Sequence, residues 1–97
     1  MKFMAVWTIR PEHQREAIAR FLKGGAPAPE GMTILGRWHV PGSQRGFVLI
    51  ETDDLTAHGA HMVEWGNNLE LEVYPVYEDA DAGMAMTKGV AAADSSQ

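Results

Sequence analysis

The sequence predicts an α+β domain in which a four-stranded antiparallel sheet carries two helices on one of its faces. Six segments alternate in the order β-α-β-β-α-β with short connections between them. The chain has 97 residues, which is the size of one domain. The first strand segment is rich in aromatic and β-branched residues, the last alternates between apolar and polar side chains, and each helix segment carries an apolar stripe.

The first half of the chain contains four of the six elements. Residues 2–9 are rich in aromatic and β-branched residues and predict a strand. Pro11 suits the first turn of a helix, which we expect to run to about Lys23, where two glycines follow. Residues 32–40 and 47–52 predict two further strands joined by a hairpin loop. The helix stripe comprises Ala17, Ile18, Phe21 and Leu22.

The second half supplies the remaining helix and strand. Asp53 or Asp54 can cap the helix, and Gly66 ends it. Residues 69–77 alternate between apolar and polar side chains, as a half-buried strand does. One side of the second helix carries Leu55, Met62 and Trp65. Together with the first four, these elements give the ferredoxin-like βαββαβ arrangement.

Two helices on one face leave the other face of the sheet uncovered. A domain of this size is marginal alone, so we expect two copies to stack these faces as a homodimer. The folding unit is residues 1–78. Residues 79–97 form an acidic tail rich in Ala, Gly and Ser, which cannot bury enough surface to order itself alone.

Composition excludes several classes of function. The net charge of −5 disfavours a nucleic-acid or anionic-membrane partner, and the absence of cysteine removes disulfides and thiolate chemistry. The longest apolar run is Phe3 to Trp7, far short of a membrane span of about 20 residues. We therefore expect a cytoplasmic protein.

Several short motifs resemble a family of short bacterial proteins classed as a domain of unknown function. The resemblance covers about residues 2–78 and implies the dimeric α/β-barrel superfamily, in which two such domains meet sheet to sheet around a cavity. That superfamily includes cofactor-free monooxygenases, small isomerases and haem-dependent enzymes. The motifs are Trp7, Gly25-Ala26-Pro27, Gly36-Arg37-Trp38-His39, Gly46-Phe47, Glu51-Thr52-Asp53, Trp65 and Val73-Tyr74-Pro75-Val76.

His39 is the principal candidate for proton transfer, because an imidazole titrates near neutral pH. Neighbours on a strand point in opposite directions, so Arg37 and His39 face the open side if Trp38 packs under the helices. Arg37 would then stabilise negative charge that develops on a substrate. The alternative is that His39 caps the hairpin or hydrogen-bonds across the dimer.

Four further residues are candidates for ligand binding. Trp7 and Trp38 could stack on a planar ligand. Glu51 and Tyr74 lie on predicted strands, where they could orient the imidazole or shape the wall of the cavity. A wet edge strand whose charges discourage edge-to-edge pairing is the alternative for these two.

Two histidines of the second helix, His58 and His61, stand three residues apart with Glu64 three further on. They could share a metal ion, but a buried helical pair explains them better because a third ligand is missing. Haem would need one axial histidine, for which His39 or His58 qualifies. We expect neither a metal nor a cofactor.

The sequence therefore predicts a small-molecule-binding dimeric α/β-barrel protein. As an enzyme it would be a cofactor-independent oxygenase or isomerase acting on a flat substrate with an acidic hydrogen. A non-enzymatic assembly or ligand-sensing dimer is the first alternative, and a metal- or haem-binding protein is the second.

Overall fold

The chain follows the expected βαββαβ order and adds a helix at its C-terminal end. A computed structural model describes residues 1–95, so that Ser96 and Gln97, the end of the predicted tail, lie outside the described residues. One turn of 3-10 helix, Pro11–His13, precedes the first α-helix. The elements are β1 Lys2–Ile9, α1 Gln14–Gly24, β2 Thr33–His39, β3 Arg45–Glu51, α2 Leu55–Trp65, β4 Leu69–Val76 and α3 Asp79–Ser95.

The four strands form one sheet in the order β2-β3-β1-β4. Each neighbouring pair is antiparallel, with β1 and β3 in the centre and β2 and β4 at the edges. This is the ferredoxin-like arrangement, so the predicted fold class is confirmed. The capping prediction also holds, because the Asp54 carboxylate accepts a hydrogen bond from the Ala57 amide at 2.9 Å.

The two faces of the sheet differ in what covers them. Phe3, Ala5 and Trp7 of β1 are buried against the helices, on what we call the helix face. Met4 and Val6 lie between them and point to the opposite side, the open face. By strand register, the larger apolar side chains of the open face are Met4, Val6, Trp38, Phe47, Leu49, Tyr74 and Val76.

The core is unevenly packed. On the helix face, Ala5, Trp7, Val48 and Ile50 form a buried cluster with Met32. Helix α1 contributes no residue to this cluster, and Ala17 is the only residue of the helix that is buried. The predicted stripe of α1 is therefore only partly covered, and the space between α1 and the sheet is incompletely filled.

Helix α3 extends from the domain without becoming buried. None of its described residues is buried, and its larger apolar side chains, Met84, Met86 and Val90, are all exposed. The longest dimension of the molecule is accordingly 56 Å, against 30 and 19 Å for the other two. Among the described residues, no helix is both long and apolar enough to cross a membrane.

Candidate functional site

Strand β2 divides the predicted site residues in a way opposite to the expectation. Arg37 pairs with Val48, and His39 pairs with Gly46, which places both on the helix face. Trp38 lies between them on the open face and is 54% exposed. The expectation that Arg37 and His39 face the open side was conditional on Trp38 packing under the helices, and that condition is wrong.

Two glycines explain why each tryptophan lies where it does. A Cβ atom on Gly36 would come within 2.4 Å of Trp38, so the indole ring lies directly over that glycine on the open face. On the helix face, a Cβ atom on Gly46 would come within 1.9 Å of Trp7. The register of β2 shifts between Ile34 and Gly36, and this irregularity determines which face of the sheet each later side chain of the strand takes.

The remaining predicted ligand-binding residues are also divided by the sheet. Trp7 lies on the helix face with Arg37 and His39. Glu51 and Tyr74 lie on the open face, where the Tyr74 hydroxyl donates a hydrogen bond to Glu72. The Glu72 carboxylate raises the pKa of Tyr74 through this hydrogen bond and its charge. The predicted residues therefore do not line one common chamber within a single copy.

A cavity of about 160 Å³ lies between the helix face and the two covering helices, in the space that α1 leaves unfilled. Its wall is mainly apolar, and Arg37, His39 and His61 are the ionisable residues that line it. The other lining residues are Ala5, Trp7, Ile9, Ala17, Ile18, Phe21, Leu22, Ala26, Val48, Met62, Trp65, Leu69 and Leu71.

The imidazole of His39 lies between two aromatic rings at the wall of this cavity. Its centroid is 5.2 Å from that of Trp7 in an edge-to-face arrangement and 5.3 Å from that of Phe21. The Arg37 guanidinium lies 5.9 Å from the Phe21 ring. Arg37 and His39 alternate on the same strand, so a molecule in the cavity can contact both.

The two histidines of α2 are buried on the side of the helix that faces the sheet. His58 is 5% exposed and packs on Phe3, with ring centroids 4.8 Å apart. The Nε2 atom of His58 and the Nδ1 atom of His61 have no hydrogen-bond partner among the described residues. Glu64 lies 3.8 Å from His61 Nδ1, which is too far for a hydrogen bond.

The two histidines have no third ligand grouped with them among the described residues. No group of three or more histidine, cysteine, aspartate or glutamate side chains in residues 1–95 is placed to hold a metal ion. The Glu64 carboxylate instead accepts a hydrogen bond from the Arg20 guanidinium, with 2.9 Å between nitrogen and oxygen.

Burial of the two histidines predicts a loss of stability in weak acid. Burial, followed by repulsion from His61, lowers the pKa of His58, and burial also lowers the pKa of His61. The unfolded chain therefore binds protons more readily, so the free energy of unfolding should fall as pH drops below about 6.5.

The test is chemical denaturation between pH 7 and pH 5, above the range in which carboxylates titrate. A His58→Leu, His61→Leu variant should lose most of this pH dependence, because it removes both buried imidazoles. A dependence of the same size in wild type and variant would contradict the assignment.

Beside the cavity lies a contact that the sequence did not indicate. Arg20 of α1 stacks over the Trp65 ring at 3.8 Å and donates hydrogen bonds to the backbone carbonyl and side chain of Glu64. This contact joins the two helices across one end of the cavity. Glu64 and Trp65 follow Arg20 by 44 and 45 residues in the sequence, so no local spacing of residues indicates this contact.

The sequence matches a known family over most of its length. The family described as "Domain of unknown function (DUF3303)" matches residues 1–90. The expected resemblance to a family of unknown function is thereby confirmed. The match extends past residue 78, where the resemblance was expected to end, and includes most of α3.

Two further comparisons complete the picture. The comparison with curated proteins found no match. Among solved structures, the chain is similar to an uncharacterized NIPSNAP-like domain protein from Burkholderia xenovorans, with 13% sequence identity and a TM-score of 0.43. That alignment covers 80% of this chain and 85% of the other.

Proposed function

The chain belongs to the DUF3303 family, and from this membership and the geometry above we propose that it is a cytoplasmic small-molecule-binding protein that works as a homodimer. The family description names a domain of unknown function and no activity, so the proposal rests on the geometry of the candidate site. The observation that carries it is the apolar cavity of about 160 Å³ between the helix face and the helices.

The cavity has the chemistry of a binding site for a small organic molecule. Such sites are mainly apolar and contain a few polar groups that fix the orientation of the ligand. Its volume is close to that of an engineered cavity of about 150 Å³ that accepts benzene, so a single ring or a short branched chain fits. A haem macrocycle is far larger than this space, and His58 packs on Phe3 away from it.

The open face supports the homodimer. Its apolar centre includes Val6, Phe47 and Leu49 on the two central strands, with Trp38 and Tyr74 on the edge strands. Contiguous exposed apolar patches of this kind mark interaction sites. A second copy is a fitting occupant, because Arg45 on β3 and Glu70 and Glu72 on β4 lie on either side of β1, where a twofold axis can bring the opposite charges of two copies together.

The division of the chain into a folding unit, residues 1–78, and an appendage, residues 79–97, remains our proposal. It is supported by the absence of any buried residue in α3.

Binding is best tested by following thermal stability and intrinsic fluorescence together. A ligand at one hundred times its dissociation constant stabilises a fold by about 2.7 kcal/mol, which corresponds to roughly 10–20 °C for a domain of this size. In a Trp38→Phe variant the remaining tryptophans, Trp7 and Trp65, both line the cavity and report its occupation. A panel of small aromatic and branched aliphatic molecules that produces neither signal would contradict the proposal.

A cofactor-independent enzyme, an isomerase or an oxygenase, is the second candidate function. His39 and Arg37 line the same cavity, which favours it. The His39 imidazole would take a proton from a carbon next to a carbonyl group, and Arg37 would stabilise the negative charge that moves onto the carbonyl oxygen. Returning the proton to a different atom completes an isomerisation, whereas an oxygenase would require dioxygen as the second reactant.

Deuterium exchange measures this proton transfer directly. We expect the protein to accelerate exchange of the acidic C–H hydrogens of phenylpyruvate in D2O. His39→Gln should reduce that acceleration by about a hundredfold or more, the usual effect of losing a general base. His13→Gln is the matched control, because His13 is not among the cavity-lining residues.

Equal exchange rates in wild type and His39→Gln would remove His39 from this role. Binding without any exchange would favour the ligand-sensing alternative over the enzyme.

A further inference from the structure

The charge of the cavity is opposite to that of the whole protein. The chain has a net charge of −5, with 13 acidic and 8 basic residues. No aspartate or glutamate lines the cavity, whereas Arg37, His39 and His61 do. The wall therefore offers one permanent positive charge, two imidazoles and no carboxylate among the described residues.

Arg37 lacks the acidic partner that Arg10 and Arg20 have. The Arg20 guanidinium lies 2.9 Å from Glu64, and that of Arg10 lies 3.8 Å from Glu70. Within residues 1–95, no carboxylate lies within 4.0 Å of the Arg37 guanidinium, whose one hydrogen bond there is donated to the Ala26 carbonyl. The other N–H groups of the Arg37 guanidinium have no protein acceptor within residues 1–95.

Partial burial makes this unpaired charge costly. Arg37 is half-buried, and burial lowers its pKa because the charged form loses hydration. A protein gains little from a desolvated cation without an anion beside it, since buried charges are normally paired. A bound anion would accept hydrogen bonds from the remaining N–H groups of Arg37, and the apolar wall would contact the rest of that ligand.

We infer that the cavity binds a small monocarboxylate, whose carboxylate pairs with the Arg37 fork while a single ring or short branched chain contacts the apolar wall. This inference rests on the proposed binding function and names the ligand class for the same cavity. A planar carboxylate matches the two parallel N–H donors of a guanidinium. A phosphate fits less well, because a single arginine in an apolar wall leaves most of its charge and acceptor oxygens unpaired.

The experiment compares acids with neutral amides of the same shape. Benzoate with benzamide, and isovalerate with isovaleramide, are titrated by calorimetry into wild-type protein and into Arg37→Met and Arg37→Lys. Wild type should prefer each acid over its amide by about tenfold or more, the effect expected of a charge-assisted pair. Arg37→Met should abolish the preference, and Arg37→Lys should keep part of it.

The outcomes separate this inference from the proposed function. If neither acids nor amides bind wild type, the binding function fails and the inference fails with it. If amides bind as tightly as acids, or if the preference survives in Arg37→Met, the cavity binds ligands but the carboxylate assignment is overturned. Circular dichroism checks that each variant folds, and the acid-to-amide comparison in wild type stands without any variant.

Discussion

Replacing Gly46 by alanine should lower the melting temperature of this protein by about 10 °C or more, which corresponds to a loss of about 2–3 kcal/mol. Gly46 pairs with Trp7 across the central strands, and a Cβ atom there would lie 1.9 Å from the indole ring. The rigid ring would have to leave its position in the buried cluster, and the adjacent cavity is the space open to it. Thermal unfolding measures the effect.

A second glycine provides the matched control. Nothing lies within 4 Å of the position where a Cβ atom on Gly59 of α2 would be. Gly59→Ala should therefore be neutral or raise stability by up to about 1 kcal/mol, since alanine favours a helix over glycine. In a Trp7→Leu background the cost of Gly46→Ala should shrink, because the colliding ring is absent. A Gly46→Ala protein as stable as wild type would contradict the packing described for Trp7.

If the protein is the homodimer proposed above, replacing Phe47 by glutamate should convert it into a monomer. Phe47 lies on a central strand of the open face, in register with Trp38 and Val6. In a symmetric dimer the change places two unpaired carboxylates within the interface, and each costs several kcal/mol to bury. We expect dimerisation to weaken by at least about a hundredfold, measured by sedimentation equilibrium across a concentration series.

The control for this change lies on the opposite side of the molecule. Val63 on the outer surface of α2 is 79% exposed, so Val63→Glu makes the same apolar-to-acid change away from the open face. It should leave the association constant unchanged. Wild-type protein that is monomeric at micromolar concentration, or a Phe47→Glu protein that associates as well as wild type, would rule out the dimer proposed here.

The fold could be predicted because its signals are local. Alternation in residues 69–77 predicted a half-buried strand, and its apolar residues Leu69, Leu71 and Val73 do pack against the core. Asp54 was recognisable as one of two possible caps because its side chain precedes the helix directly. Such features depend on neighbours in sequence, and the periods of helix and strand are enough to interpret them.

The position of the cavity could not be predicted, because it depends on contacts between distant residues. Strand β2 carries large side chains on both faces, so its pattern did not show which face Trp38 takes. A glycine within a strand signals a close approach of another group, and Gly36 and Gly46 both carry that signal. What approaches them, an indole ring in each case, follows only from the strand register and the path of the chain.

The most direct test of the account is to locate a bound ligand by NMR. At 10.6 kDa per chain, methyl-labelled protein is well suited to measuring contacts between the ring protons of benzoate and the protein. We predict nuclear Overhauser effects to methyl groups of Met62, Leu69 and Leu71, which line the space between the helices and the sheet. Contacts to Met4 and Leu49 instead would place the ligand on the opposite face of the sheet and contradict the account.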